Sequence, residues 1–180
     1  SDYLITAQRL GKTSVSELAA GMEQVIPTAA AYHMEMDNLT SAYVVLAENG
    51  STTAESTSYL QSMLGELGDS GSSVSKILQE QTGKSFGTLM GDGRSLGDIM
   101  GILGNSVDGD IGKFRSLWES SEAGAGAFSL LNAGAGEYNS VLQEMQGSTG
   151  ATNQAFGEIA DTVEFAKTKT DTAFQNMMIA

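Results

Sequence analysis

The 180-residue chain has no cysteine, one proline (Pro27), one histidine (His33) and one tryptophan (Trp118). Without cysteine there is no disulfide framework, thiol nucleophile or thiolate metal site, and the redox compartment is left open. A lone histidine has no second His or Cys to complete a metal site, so His33 reads as an ordinary surface or partly buried residue of a helical stretch. Basic residues are scarce too. Nine Lys and Arg against 22 Asp and Glu give a net charge of −13, which leaves no basic stripe to release counterions from a nucleic-acid backbone. The acidity reads as a solvated surface suited to a crowded or polymer-forming protein, with a basic partner as the alternative. No apolar run approaches the ~20 residues of a membrane span, and Ser1-Asp2-Tyr3-Leu4-Ile5 lacks the charged and apolar regions of a secretory signal. Neither direct nucleic-acid binding nor membrane contact is expected of this segment.

Glycine and apolar residues are plentiful instead, at 22 glycines and 41% hydrophobic residues. A domain of this size buries roughly 70% of its unfolded surface, so a hydrophobic core is within reach. The apolar residues recur at the i, i+3, i+4, i+7 spacing of a helix face. Clean examples are Leu39/Ala42/Tyr43/Leu46, Leu60/Met63/Leu64/Leu67, Leu96/Ile99/Met100/Leu103, Tyr138/Val141/Leu142/Met145 and Phe156/Ile159/Ala160/Val163. No sustained period-2 run supports a sheet. The expected fold is all-α, a compact array of about eight to ten short helices joined by short loops and packed as antiparallel αα-hairpins.

Capping residues place the helix ends. Ser14 or Ser16 starts a segment that Pro27 should kink or stop, since proline cannot donate the backbone bond and clashes with the preceding turn. Asp37 is the expected cap of a helix ending at Gly50, and Thr52 with Glu55 forms a capping box for the next, which Gly68 stops. Beyond the polar turn 68–73, helices are expected at 74–81, ending at Gly83, and at 85–90, broken by Gly91-Asp92-Gly93. Another carries Leu96 and ends near Gly104. After a loop around 107–109, helices follow at 111–120, 122–132 and 137–146, and Thr149 opens the last.

Motifs that resemble active sites are incomplete. Gly83-Lys84-Ser85 has the end of a phosphate-binding loop, but Leu78 stands where its first glycine belongs and a helix precedes it; a helix-ending glycine followed by a serine cap explains the three residues. Gly68-Asp69-Ser70-Gly71 has the letters of a serine-protease nucleophile without the surrounding strands, and reads as an inter-helix turn. Asp108, Asp110 and Glu119 occupy positions 1, 3 and 12 of a calcium loop, but Gly112 and Lys113 spoil positions 5 and 6. The sequons at Asn38 and Asn49 matter only in a secreted eukaryotic protein, which nothing else suggests. The stretches 123–127 and 133–136 lack the third glycine of a dinucleotide fingerprint and suit close helix approach around Phe128, Leu130 and Leu131. Phe114, Trp118 and the nine methionines read as core. A carboxylate hydrolase would draw on Glu119 and Glu122, at i, i+3, which read as a solvated face. No catalytic, cofactor-binding or metal-ligating residue is assigned.

The order of local phrases carries a resemblance. Thr13-Ser14-Val15-Ser16-Glu17-Leu18-Ala19-Ala20-Gly21-Met22 is followed by Val25-Ile26-Pro27-Thr28-Ala29-Ala30, then Leu39-Thr40-Ser41-Ala42-Tyr43, Leu46-Ala47-Glu48-Asn49-Gly50, Thr53-Ala54-Glu55 and Met63-Leu64-Gly65-Glu66-Leu67. Lys84-Ser85-Phe86, Leu96-Gly97-Asp98-Ile99, Glu122-Ala123-Gly124 through Leu131, and Glu137-Tyr138-Asn139 with Leu142 and Met145 continue the series. Over about residues 12–165 this resembles the core region of phage tail tape-measure proteins. The resemblance implies a virion structural segment, from a phage or prophage, of a longer protein that scaffolds tail-tube polymerisation and sets tail length. It implies partners among the tail-tube protein, tail-assembly chaperones and tail-tip or baseplate components, and leaves oligomer formation open. The implied location is the virion tail, and the host bacterial cytoplasm during assembly; the family's core offers no catalytic residue or cofactor to carry over. On this reading residues 1–12 are the trailing end of an upstream helix, 13–165 the helical core domain and 166–180 the start of a downstream helix or linker. The short, glycine-punctuated helices suit a compact module more than an extended ruler. The alternative is an acidic helical binding module, unrelated to phage, that holds a partner on an exposed Trp118/Phe114 face.

Overall fold

Seven helix starts in the computed structural model, which describes residues 2–10 and 14–148, follow one chemical rule. Ser14, Thr52, Ser72, Ser85, Ser95, Asp110 and Ser120 have extended backbones, and each side-chain oxygen accepts the backbone N–H three residues on. That bond satisfies one of the donors every helix start leaves unpaired. These caps open α2 (Val15–Ala31), α4 (Thr53–Gly68), α5 (Ser73–Thr82), α6 (Phe86–Gly91), α7 (Leu96–Ser106), α8 (Ile111–Ser116) and α9 (Ser121–Ala133). With α1 (Asp2–Leu10), α3 (Met36–Glu48) and α10 (Ala135–Gly147) there are ten helices and no strand among the described residues. The fold is all-α.

Four helices end in the same way. After α2, α3, α6 and α7 the chain turns into positive φ at His33 (62°), Gly50 (95°), Gly93 (85°) and Asp108 (52°). At each, the following residue returns its N–H to a carbonyl five residues back, from Met34 to Ala29, Ser51 to Leu46, Arg94 to Leu89 and Gly109 to Gly104. These are Schellman ends, where glycine is the usual occupant and His33 and Asp108 stand in for it. His33 is thus exposed just past α2 and not inside a helical stretch.

Several boundaries differ from expectation. α2 runs through Pro27 to Ala31. Pro27 lies on the exposed face, where water is available to the carbonyl the ring displaces, while Val25, Ile26 and Ala29 stay buried and hold the helix together. Asp37 is not the cap of α3. Glu35 precedes the helix without a side-chain cap, and Asp37 sits in the first turn. α7 extends to Ser106, and α8 stops at Ser116, so Trp118 lies in the turn before α9. The expected helix from Thr149, with its Phe156 stripe, falls outside the described residues.

The stripes face one core. Leu60, Met63, Leu64 and Leu67 of α4 and Leu96, Ile99, Met100 and Leu103 of α7 are fully buried. α3 is the central helix, buried at every position from Asn38 to Leu46, with α1, α4, α9 and α10 packed around it. Its polar members Thr40 and Ser41 bond back to the carbonyls of Met36 and Asp37 (2.7 and 2.6 Å), so they bring no unpaired group into the core. The hairpin pairing is one part of the packing, clearest in α8 against α9. The most extensive contacts join helices distant in sequence, α4 with α9, α2 with α4 and α3 with α10.

Candidate functional site

The most elaborate arrangement of polar groups lies inside the protein, at the junction of α3, α7 and α10. Asn38 is buried in the first turn of α3 and uses every polar atom of its side chain. Its Oδ1 accepts the Leu96 N–H (3.1 Å) and the Tyr138 hydroxyl (2.7 Å), and its Nδ2 donates to the Arg94 carbonyl (3.1 Å) and Met90 Sδ (3.6 Å). The Tyr138 hydroxyl also reaches the Asn38 backbone carbonyl at 2.6 Å, so one proton is shared between two acceptors. Burial pushes the Tyr138 phenol well above its usual 10.0, with Asp37 and Asp98 adding to the effect. It stays a neutral donor, and every polar atom of the Asn38 side chain beside it is paired, while the buried Oδ1 of the adjoining Asn139 has no partner. This is a lock between helices 100 residues apart in sequence, with no group left to attack or protonate a substrate. The flanking pairs fit that role: Asn139 Nδ2 donates to Asp98 Oδ1 at 3.0 Å, and Gln146 Nε2 to Asp37 Oδ2 at 3.1 Å. In the sequence Asn38 stands out only as a sequon and Tyr138 only as a stripe and family-phrase residue; Asn38, between Asp37 and Leu39, carries no local signal of burial.

A second lock uses a carboxylate. Glu66, near the end of α4, accepts the backbone N–H groups of Glu119 and Ser120 at 2.9 Å each, pinning the turn that opens α9. Below it, α9 lies directly on α4: a Cβ on Gly126 would stand 2.6 Å from Tyr59 Cβ and 2.8 Å from Met63 Sδ. The stretch 123–127 therefore serves close helix approach, as its composition suggested, whereas in 133–136 Gly134 and Gly136 meet nothing within 4 Å of an added Cβ, and Gly134 joins α9 to α10 at φ 93°.

The rejected motifs resolve into the same kind of parts. Gly83 has φ 73° and ends α5, Lys84 pairs with Asp92 at 2.7 Å, and Ser85 caps α6. Asp69 Oδ1 accepts the Gly71 N–H in the turn after α4. Gly68 is there for space, since a Cβ would overlap the Tyr32 ring. Asp110 caps α8, which occupies the middle of the would-be calcium loop. Among the described residues no group of three or more His, Cys, Asp or Glu is placed to hold a metal ion. No helix there is long and apolar enough to cross a membrane. Phe114 is fully buried and Trp118 is 5% exposed, edge to face with it at 6.3 Å. The exposed aromatic face required by the binding-module alternative is absent among the described residues. The polar groove lined by Gln81, Lys84, Arg94 and Asn105 holds two cations, each already paired, Lys84 with Asp92 and Arg94 with Asp98 at 3.6 Å.

Caps, stops and inter-helix locks account for these motifs, and comparison with known proteins supplies the family. Residues 1–117 match the phage-related minor tail protein family. The chain belongs to that family. It is similar, at 29% identity over 182 residues, to a protein of Clostridium phage phiCD119 (strain Clostridium difficile/United States/Govind/2006) named "Probable tape measure protein". The likeness covers 98% of this chain and 19% of that protein, so the chain spans under a fifth of the relative's length. No solved structure matches it. As a member of this family the chain has a structural role in the phage tail. The family match ends at Leu117, after α8, yet α9 and α10 pack on α4 and α3 inside the matched part. The folded unit of this minor tail protein therefore continues past the family match.

Proposed function

We propose that this chain is a compact structural module of a tape-measure protein, with residues 13–165 as its helical core domain. Residues 1–12 then trail from an upstream helix, and 166–180 begin a downstream helix or linker. The observation that carries the reading is the likeness along 98% of the chain to 19% of a much longer protein named as a tape measure. Within the tail lumen the module takes part in scaffolding tube polymerisation. Its partners are the tube protein, the assembly chaperones and the tip or baseplate components, met in the host cytoplasm before the tail closes. No enzymatic activity is proposed for it, in keeping with its membership of a minor tail protein family.

The experiment is an in-frame deletion of the codons for residues 13–165 from the parent gene, followed by electron microscopy of the lysate. A straight helix of ~150 residues would be about 225 Å long. A compact assembly module predicts particles without tails or with misassembled tails. Normal tails shortened by about that length would show an extended ruler segment and overturn the module reading; unchanged tails would overturn the tail role itself.

A further inference from the structure

Asn49-Gly50 is the single Asn-Gly pair in the chain, and it closes the central helix. Both residues are exposed. Gly50 is held at φ 95°, and a Cβ built on it would meet nothing within 4 Å, so no side chain packs over this turn. Hydrogen bonds restrain the pair: Asn49 Nδ2 donates to the Val45 carbonyl at 2.8 Å, the Asn49 N–H to the Val45 and Leu46 carbonyls at 3.1 and 3.2 Å, and the Gly50 N–H to the Ala47 carbonyl at 3.0 Å. Bonds of this kind at a helix end open far more readily than those of the core.

We propose that Asn49 is a site of slow self-modification, deamidation through a cyclic imide, gated by opening of the last turn of α3. When the turn opens, the Gly50 nitrogen attacks Asn49 Cγ, the N–H proton is lost and the side-chain nitrogen leaves as ammonia. Water then adds to one of the two imide carbonyls and opens the ring. Residue 49 becomes aspartate or isoaspartate, and the isoaspartate carries an extra backbone methylene into the turn. The folded protein sets the rate, because Val45 and Ala47 hold the amide and the attacking nitrogen in their closed positions.

The product is poorly suited to its surroundings. A carboxylate at position 49 sits at the negative end of the α3 dipole. It also adjoins Glu48, whose carboxyl is pushed up by partial burial and by Glu137 and Glu144 of α10. The modification therefore loosens the end of α3 where α10 packs on it.

The test incubates the purified chain at mildly alkaline pH, native and in urea, and follows each Asn-containing peptide by mass spectrometry with separation of aspartate from isoaspartate. Conversion at Asn49 in the native chain is expected to be the fastest of any asparagine in residues 14–148, and about tenfold slower than in urea, the factor expected for breaking one or two exposed hydrogen bonds first. Equal native and urea rates would overturn the gating; no native conversion while the urea sample converts would overturn the self-modification of the folded protein. As a separate readout, N49D should melt below the parent chain, and an unchanged melt would remove the structural consequence.

Discussion

One hydroxyl proton at Tyr138 serves two acceptors on Asn38, and that asymmetry sets what each substitution costs. Tyr138→Phe leaves Asn38 Oδ1 still bonded to the Leu96 N–H, so the expected loss is about 1–2 kcal/mol. Asn38→Ala strands the Leu96 N–H and the Arg94 carbonyl, while the Tyr138 hydroxyl keeps the backbone carbonyl of position 38, and should cost about 3 kcal/mol or more. Urea titration of the two variants checks the order, and equal losses would mean the amide adds nothing beyond the phenol. The same residue scale carries a pH dependence. Burial pushes Tyr43 up to about 12 from its usual 10.0, against a hydrogen bond with Thr57 that lowers it, and raises Tyr138 as well. The neutral phenols are the favoured forms in the fold. Their contribution is therefore full below pH 10, the unfolded value, and falls as pH rises from 10 through about 12. Stability measured by urea titration should drop across that window, and Tyr43→Phe should make the drop shallower.

At the scale of elements, glycine has two opposite meanings in these helices. Gly126 touches Tyr59 and Met63 across the α4–α9 contact, whereas Gly101 of α7 faces open space, with nothing within 4 Å of an added Cβ. Gly126→Ala is expected to destabilise by about 1–3 kcal/mol through overpacking, and Gly101→Ala to stabilise by up to about 1 kcal/mol through helix propensity. Thermal melts of the two should move in opposite directions. The composition showed many glycines but could not sort stops from contacts, since the sorting depends on which helix lies opposite. Caps were far more legible, because Thr52 and Glu55 interact over three residues: the Glu55 N–H donates to Thr52 Oγ1 at 3.1 Å. Asp37 was misplaced for the converse reason. Nothing local distinguishes a cap from a first-turn carboxylate, and the start of α3 at Met36 goes with burial of Met34 and Met36.

Across the whole molecule, the contacts that matter most are the least local. α9 and α10 cover α4 and the central helix α3, although the family match ends before either begins. A chain truncated after Leu117 should expose those faces and lose cooperative unfolding, while the full chain keeps a single transition, as followed by circular dichroism. A cooperative melt from the truncated chain would show instead that α9 and α10 are an addition to a self-sufficient unit.

Helix identity, most helix ends, the buried stripes and the want of a complete catalytic motif were determined by the sequence alone, because each depends on residues within a turn or two of one another. The Asn38–Tyr138 lock, the Glu66 clamp on α9 and the partners that Gly126 meets on α4 were decided by tertiary structure. These join groups between 53 and 100 residues apart or depend on what packs opposite, and a one-dimensional pattern carries no record of which face meets which. Pro27 marks the boundary between the two: local chemistry argues for a break, and the buried face of α2 overrides it.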